Sequence, residues 1–163
     1  MGLLSERLVF NTDVRFLQGF GAGGASALDA KIGAAAVLPF HQTQPLAFQL
    51  GAFAAGGFAV ERAAEPAPYV GGGVSLSIGM ARPSSFGVTL SGEVLTRGVR
   101  VSAMTNIPIP MIQAYLAGVS PHVSVGYVYE HKTDFRSGTP GETIHGLALS
   151  AGFDISSIVF GLR

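Results

Sequence analysis

The chain has 163 residues, of which 48% are hydrophobic and 12% are charged, and its mean hydropathy is +0.43. Ten basic residues balance ten acidic ones, which argues against a nucleic-acid partner, and the lack of cysteine excludes disulfides and thiolate metal sites. Because the surface of a soluble domain carries about 25–35% charged residues, we predict that much of this surface does not face water.

The first two strand-like segments alternate between apolar and polar side chains. In residues 7–19 one face carries Asn11, Asp13 and Arg15, and the opposite face is Leu8, Phe10, Thr12, Val14 and Phe16. After a Gly/Ala-rich turn at 20–27, residues 28–39 repeat the pattern, with Asp29 and Lys31 opposite Leu28, Ala30, Ile32, Ala34 and Leu38. A period of two over such lengths predicts β-strands.

Two further strands are predicted in the next part of the chain. FHQTQP at 40–45 is interpreted as a turn, residues 46–56 as the third strand, and residues 57–67 as a loop. The fourth strand, PYVGGGVSLSIGM at 68–80, directs Tyr69 and its glycines and serines to one face. Its other face is Val70, Val74, Leu76, Ile78 and Met80.

The second half of the chain is divided less clearly. ARPSS at 81–85 predicts a tight turn, and residues 86–104 follow, with Val88 and Leu90 on the apolar face. At TRG, residues 96–98, the alternation slips by one residue, which indicates either a turn or a bulge. The remaining predictions are a long strand-like run at 111–130, a polar loop at 131–142, a strand at 144–153, a DISS turn at 154–157 and a last half-strand at 158–163.

These segments predict an all-β fold with one domain over residues 1–163. The strand count is eight if 86–104 is one bent strand, or ten if both TRG and residues 116–121 are turns, and chain length favours eight. No run of about 18 apolar residues free of turn-forming residues is present, which argues against a transmembrane helix. A bilayer span without helices must be a closed barrel, so we predict a closed antiparallel up-and-down transmembrane β-barrel.

The charges on the polar face have both signs. Because buried charges are costly unless they are paired, we predict an ion-pair cluster inside the barrel. Its members are Asp13, Arg15, Asp29, Lys31, Glu93 and Arg100. An interior of eight strands is just wide enough for its own side chains, so we expect these groups to plug the barrel.

Three segments, PYVGGGVSLSIGM, SPHVSVGYVYEH and HGLALSAGFDISS, resemble strands of small bacterial outer-membrane β-barrel proteins, the class of the OmpA, OmpX and opacity types. The resemblance implies location in the bacterial outer membrane and a lipid bilayer as partner. MGLLSERLVF carries no secretory signal, so we expect that the signal peptide was removed and that Met1 was added.

One pattern points to catalysis. His122 and Ser124 share a strand face with Glu130, as a Ser–His–acid set requires, and His-x-Ser is similar to the motif of outer-membrane lipid A deacylases. However, Glu130 lies about 20 Å from Ser124 along a strand, and the residues after Ser124 depart from the deacylase motif. We therefore expect a polar lining without catalysis, and we predict no metal and no cofactor.

Three hypotheses for function remain open at this point. The first is a non-enzymatic outer-membrane barrel with a structural, adhesive or envelope-complex anchoring role, whose loops 57–67 and 131–142 are available to protein partners. The second is a soluble oligomeric all-β shell or fibre subunit, since high Gly and Ala content suits tight subunit packing. The third is a membrane-embedded lipid A esterase using His122 and Ser124.

Overall fold

In a computed structural model, eight antiparallel strands close into a barrel. The structure describes residues 7–20, 26–43, 46–61, 67–80, 86–109, 119–133 and 143–159. The strands are β1 (Arg7–Gly19), β2 (Ser26–Thr43), β3 (Leu46–Glu61), β4 (Ala67–Met80), β5 (Gly87–Leu95), β6 (Gly98–Pro108), β7 (Val119–Lys132) and β8 (Thr143–Val159).

Each strand pairs with its neighbours in the sequence, and β1 also pairs with β8, which removes every free sheet edge. This is the closed up-and-down antiparallel barrel that the alternation predicts, with the predicted count of eight strands. The described residues contain no helix that is long and apolar enough to cross a membrane.

The eight strands are divided differently from the prediction. TRG is a hairpin turn, because β5 ends at Leu95, β6 begins at Gly98, and Val94 pairs with Val99. The single bent strand over 86–104 is therefore wrong, and the slip in alternation arises because two turn residues reverse the chain. Gly98 has φ 144°, and a Cβ there would lie 2.1 Å from the carbonyl oxygen of His131, so the hairpin requires glycine.

Other predicted turns are strands. The DISS turn at 154–157 is wrong, because β8 continues through it and Asp154 pairs with both Asn11 and Ser120. Here the backbone hydrogen bonds with two neighbouring strands stabilise the extended conformation more than the turn propensity of Asp and Ser opposes it. The predicted loop at 57–67 is wrong for residues 57–61, which belong to β3, and for Ala67, which begins β4. The predicted turn at 40–45 is wrong for residues 40–43, which belong to β2. The predicted strand at 111–118 lies outside the described residues.

An apolar belt covers the outer face of all eight strands, as predicted. We call it the outer belt, and it includes Val14, Ile32, Phe58, Val74, Val94, Val101, Val125 and Leu149, which are 43–69% exposed. The other predicted outward residues Phe10, Phe16, Val88 and Leu90 are also exposed, while Leu76 and Ile78 are half-buried on the same face. The side chain of Leu8 lies outside the described part. The barrel therefore presents hydrocarbon around its whole circumference.

The barrel interior differs between its two ends. We call the end where β5 joins β6 the distal end, and the end where β1 begins the proximal end. In the distal half the buried inward side chains include Asp29, Glu93 and Arg100. In the proximal half several inward side chains are small, and Ser77 and Thr89 are half-buried examples. Large charged groups therefore lie inside the distal half.

The interior charge cluster as candidate functional site

The six charged residues predicted to form the cluster all lie on inward positions of β1, β2, β5 and β6. The barrel register places opposite charges side by side on neighbouring strands: Asp13 pairs with Lys31, Arg15 with Asp29, and Glu93 with Arg100. Alternation alone directs each of them inward, whereas the register decides which charges become neighbours.

Arg100 lies at the centre of the cluster, and only 2% of its surface is exposed to solvent. Its Nη2 is 2.8 Å from Asp29 Oδ2 and 2.9 Å from Glu130 Oε2, and its Nε donates to the same Glu130 oxygen at 3.0 Å. Its Nη1 is 3.5 Å from Glu93 Oε2. One guanidinium therefore joins carboxylates from three strands: Asp29 faces it across the lumen, and Glu93 and Glu130 lie on the two adjacent strands.

Three members of the cluster were not predicted. Glu130 accepts from Arg100 and also lies 2.8 Å from Arg97 Nη2, and the Tyr69 hydroxyl donates to Asp29 Oδ1. The guanidinium carbons of Arg97 and Arg100 lie 5.0 and 5.7 Å from the centre of the Tyr69 ring. The alternation of apolar and polar residues predicts that Glu130 and Tyr69 point inward. It does not predict the inward direction of Arg97, because that direction depends on the hairpin turn.

Two basic residues are held less closely. Lys31 Nζ lies 3.5 Å from Glu93 Oε1 and 5.5 Å from the centre of the Phe53 ring. Arg15 Nη2 donates to Asp13 Oδ2 at 3.4 Å. The structure therefore joins Lys31, Glu93, Arg100 and Asp29 in one continuous set of contacts, with Asp13 and Arg15 as an adjoining pair.

We predict that the contacts of Glu93 are coupled. Glu93→Gln alone should destabilise the barrel more than Glu93→Gln combined with Lys31→Met, because the single change leaves a buried ammonium without its carboxylate. The free energies of unfolding of the wild type, both single variants and the double variant, measured by denaturant titration in detergent, form the cycle. Strictly additive losses would reject the pairing.

A hydrogen-bonded chain of small polar side chains crosses four strands in the proximal half. Ser77 and Thr89 hydroxyls are 3.0 Å apart, Asn106 Nδ2 donates to Thr89 Oγ1 at 3.0 Å, and Ser124 donates to Asn106 Oδ1 at 2.7 Å. The Ser124 proton is thus directed to Asn106. Glu130 is engaged by Arg97 and Arg100. The structure does not assemble His122, Ser124 and Glu130 into a Ser–His–acid set.

Ser124→Ala should therefore lower the free energy of unfolding by less than about 1 kcal/mol, the net value of an ordinary hydrogen bond. It should leave any biological activity of the protein unchanged. Lipid-ester hydrolysis by purified wild type that is lost in Ser124→Ala would establish the esterase hypothesis instead, and His122→Ala serves as the matched second variant.

Among the described residues, no group of three or more His, Asp or Glu side chains is arranged to hold a metal ion.

No protein-family model and no curated protein matches this chain. Among solved structures, the crystal structure of Neisserial surface protein A (NspA) is similar, with a TM-score of 0.52 and 13% sequence identity, over 92% of this chain and 97% of that protein. At this identity the similarity concerns the fold. The chain therefore has the fold of a small outer-membrane β-barrel, and the prediction drawn from its strand segments is confirmed at that level.

Proposed function

We propose that this protein is a non-enzymatic integral β-barrel of the bacterial outer membrane, closed to ions by its interior charge cluster, with a structural or anchoring role in the envelope. The observation that carries the proposal is that apolar side chains lie on the outside of the barrel and charged side chains on the inside, the reverse of a soluble protein. Val74 and Val94 are 61% and 62% exposed on the outside, whereas Glu93 and Arg100 are each 2% exposed inside. Lipid around a closed barrel is the environment in which this distribution is stable.

The extent of the outer belt separates this proposal from a soluble shell or fibre subunit. An interface between copies covers one or two sectors of a subunit, but exposed apolar residues occur on every strand of this barrel, from Val14 on β1 to Leu149 on β8. A soluble oligomer would leave part of the belt in water, where exposed apolar patches beyond a few hundred Å² are rare. A bilayer covers the whole circumference.

The interior supports closure to ions. In the distal half the lumen is occupied by buried side chains from strands on opposite sides, such as Arg100 on β6 and Asp29 on β2. An ion crossing this level would have to separate contacts of 2.8 and 2.9 Å. This differs from wide porins, whose interiors hold a water-filled channel.

The connections between strands favour a structural or anchoring role over adhesion. The two longest connections, residues 109–118 and 133–142, have ten residues each. Of the two predicted partner loops, residues 57–61 belong to β3 and residues 131–132 to β7. Outside the strands, the two predicted partner loops therefore consist of residues 62–66 and 133–142.

Two measurements test the proposal. Expressed behind a bacterial secretion signal, the protein should sediment with outer membranes, remain there after a high-pH wash, and dissolve only with detergent. Reconstituted in planar bilayers, it should show no steady conductance, in contrast to a porin measured in the same system. Protein that is soluble without detergent would overturn the membrane proposal, and a stable ohmic conductance would overturn closure by the cluster.

A further inference from the structure

A small cavity lies inside the distal end of the barrel, and Arg97 lies in its wall. The other charged side chains of the wall are Arg15, Asp29, Arg100 and Glu130, and the remaining wall is aliphatic. About 10 Å³ is open to the centre of a water molecule, so the cavity has room for one. A group larger than water therefore cannot enter the cavity while its wall is intact.

The exposure of the wall side chains shows where the cavity comes closest to solvent. The Arg97 side chain is 17% exposed, whereas those of the other four charged residues are 2–9% exposed. Arg97 lies in the two-residue turn between β5 and β6, at the distal end of the barrel. Val128, which also lines the cavity, is only 1% exposed. Arg97 is therefore the charged wall residue that lies between the cavity and the distal solvent.

The turn that carries Arg97 is held on both sides. The Thr96 amide donates to the Val70 carbonyl at 2.8 Å, and the Val70 amide donates to Thr96 Oγ1 at 3.2 Å. On the other side, the Thr133 amide donates to the Arg97 carbonyl at 3.1 Å. Because Val70 is on β4 and Thr133 follows β7, the turn is anchored to both neighbouring strands. These hydrogen bonds fix the point from which the Arg97 side chain enters the lumen.

The guanidinium group of Arg97 is also held from two directions. Its Nη2 lies 2.8 Å from Glu130 Oε1 and donates to Glu130 Oε2 at 3.1 Å. Its central carbon lies 5.0 Å from the centre of the Tyr69 ring, which belongs to a residue that is 2% exposed. Because Glu130 is on β7 and Tyr69 is on β4, these contacts hold the side chain across the distal end of the lumen.

We propose that the Arg97 side chain is the distal seal of the lumen, a barrier that keeps solvent out of the cavity. The inference rests on the proposed function, in which the contacts of Arg100 close the barrel to ions. Excluding water lowers the polarity around Arg100 and Asp29, which strengthens the attraction between them. Loss of the seal should admit small solutes to the cavity from the distal end, while the contacts of Arg100 with Asp29 and Glu130 keep the barrel non-conducting.

Cysteine labelling tests the seal, because the chain has no native cysteine to compete for the reagent. Val128→Cys places a thiol in the cavity wall with little change in volume. In the full chain, folded in a neutral detergent, this thiol should react with 2-aminoethyl methanethiosulfonate far more slowly than free cysteine does. Adding Arg97→Ala should raise the rate by roughly tenfold or more, because the reagent no longer waits for the barrel to open locally.

Lys31→Ala is the matched control for Arg97→Ala. It removes a cluster cation that does not line the cavity, so the labelling rate of Val128→Cys should stay unchanged. An equal rise in both variants, or no rise in Arg97→Ala, would reject the seal. Val128→Cys alone gives a further test without any change at Arg97, since a rate close to that of free cysteine would show that the wild type has no seal.

Conductance in planar bilayers separates this inference from the proposed function. Both the wild type and Arg97→Ala should be non-conducting, because the Arg100 contacts remain in each. A conducting wild type would contradict the proposed function itself. Conductance in Arg97→Ala alone would contradict only the inference, since Arg97 would then be part of the closure to ions and not a separate barrier against solvent.

Discussion

Arg100→Met should lower the free energy of unfolding by roughly 3–5 kcal/mol, the cost of leaving buried charges unpaired. Methionine fills a similar volume but leaves Asp29 and Glu93 without their guanidinium and removes one of two partners of Glu130. The measurement is reversible denaturant unfolding of the folded barrel in detergent, followed by intrinsic tyrosine fluorescence or far-UV circular dichroism.

Lys31→Met is the matched control for this prediction. It also replaces a cluster cation with methionine, but Lys31 has one carboxylate contact, at 3.5 Å, instead of three. Its loss should be clearly smaller than that of Arg100→Met. Equal losses for the two variants would mean that the central position of Arg100 carries no special weight. A neutral outcome for Arg100→Met would mean that the cluster does not stabilise the barrel.

Val74→Arg should destabilise the barrel in a lipid bilayer by about 2–4 kcal/mol, the cost of a cationic side chain near the bilayer midplane. Val74 is 61% exposed on the outer belt and lies midway along β4, paired with Ala52 and Gly92. An arginine at this position would have to reach through the full depth of one leaflet to find water. Unfolding in liposomes, compared with the wild type, measures the loss.

Two further variants show whether the loss in Val74→Arg comes from the charge. Val74→Ala removes the same valine contacts without adding a charge and should cost much less. Phe20→Arg places the same charge at the distal edge of the belt, next to the end of β1, where the cost falls to about 0–1 kcal/mol. Similar losses at Val74 and Phe20 would contradict a lipid-facing belt, as would full tolerance of Val74→Arg.

The sequence by itself determined which side chains face outward. Alternation with a period of two places Val14, Val74 and Leu90 on one face and Asp13, Glu93 and Arg100 on the other, and the structure keeps this division. The low proportion of charged residues then required that the apolar face contact something other than water. Side-chain direction along a strand is a local property, so the closed barrel could be predicted without any long-range information.

Strand boundaries were decided by pairing. TRG and DISS both have turn composition, but Arg97 lies in a turn while Asp154 has a paired strand on each side. A local preference for a turn is small beside the backbone hydrogen bonds that two neighbouring strands supply. The sequence around each segment does not reveal whether those neighbours are present.

Only the tertiary structure decided which charges meet. Arg100 contacts Asp29 across the lumen, Arg97 turns inward from a hairpin to reach Glu130, and Tyr69 donates to Asp29 from a strand that is not its neighbour. These contacts follow from the curvature and register of the closed sheet, which bring together residues far apart in the chain. The sequence states which side chains are inside, but closure of the barrel sets the distances between them.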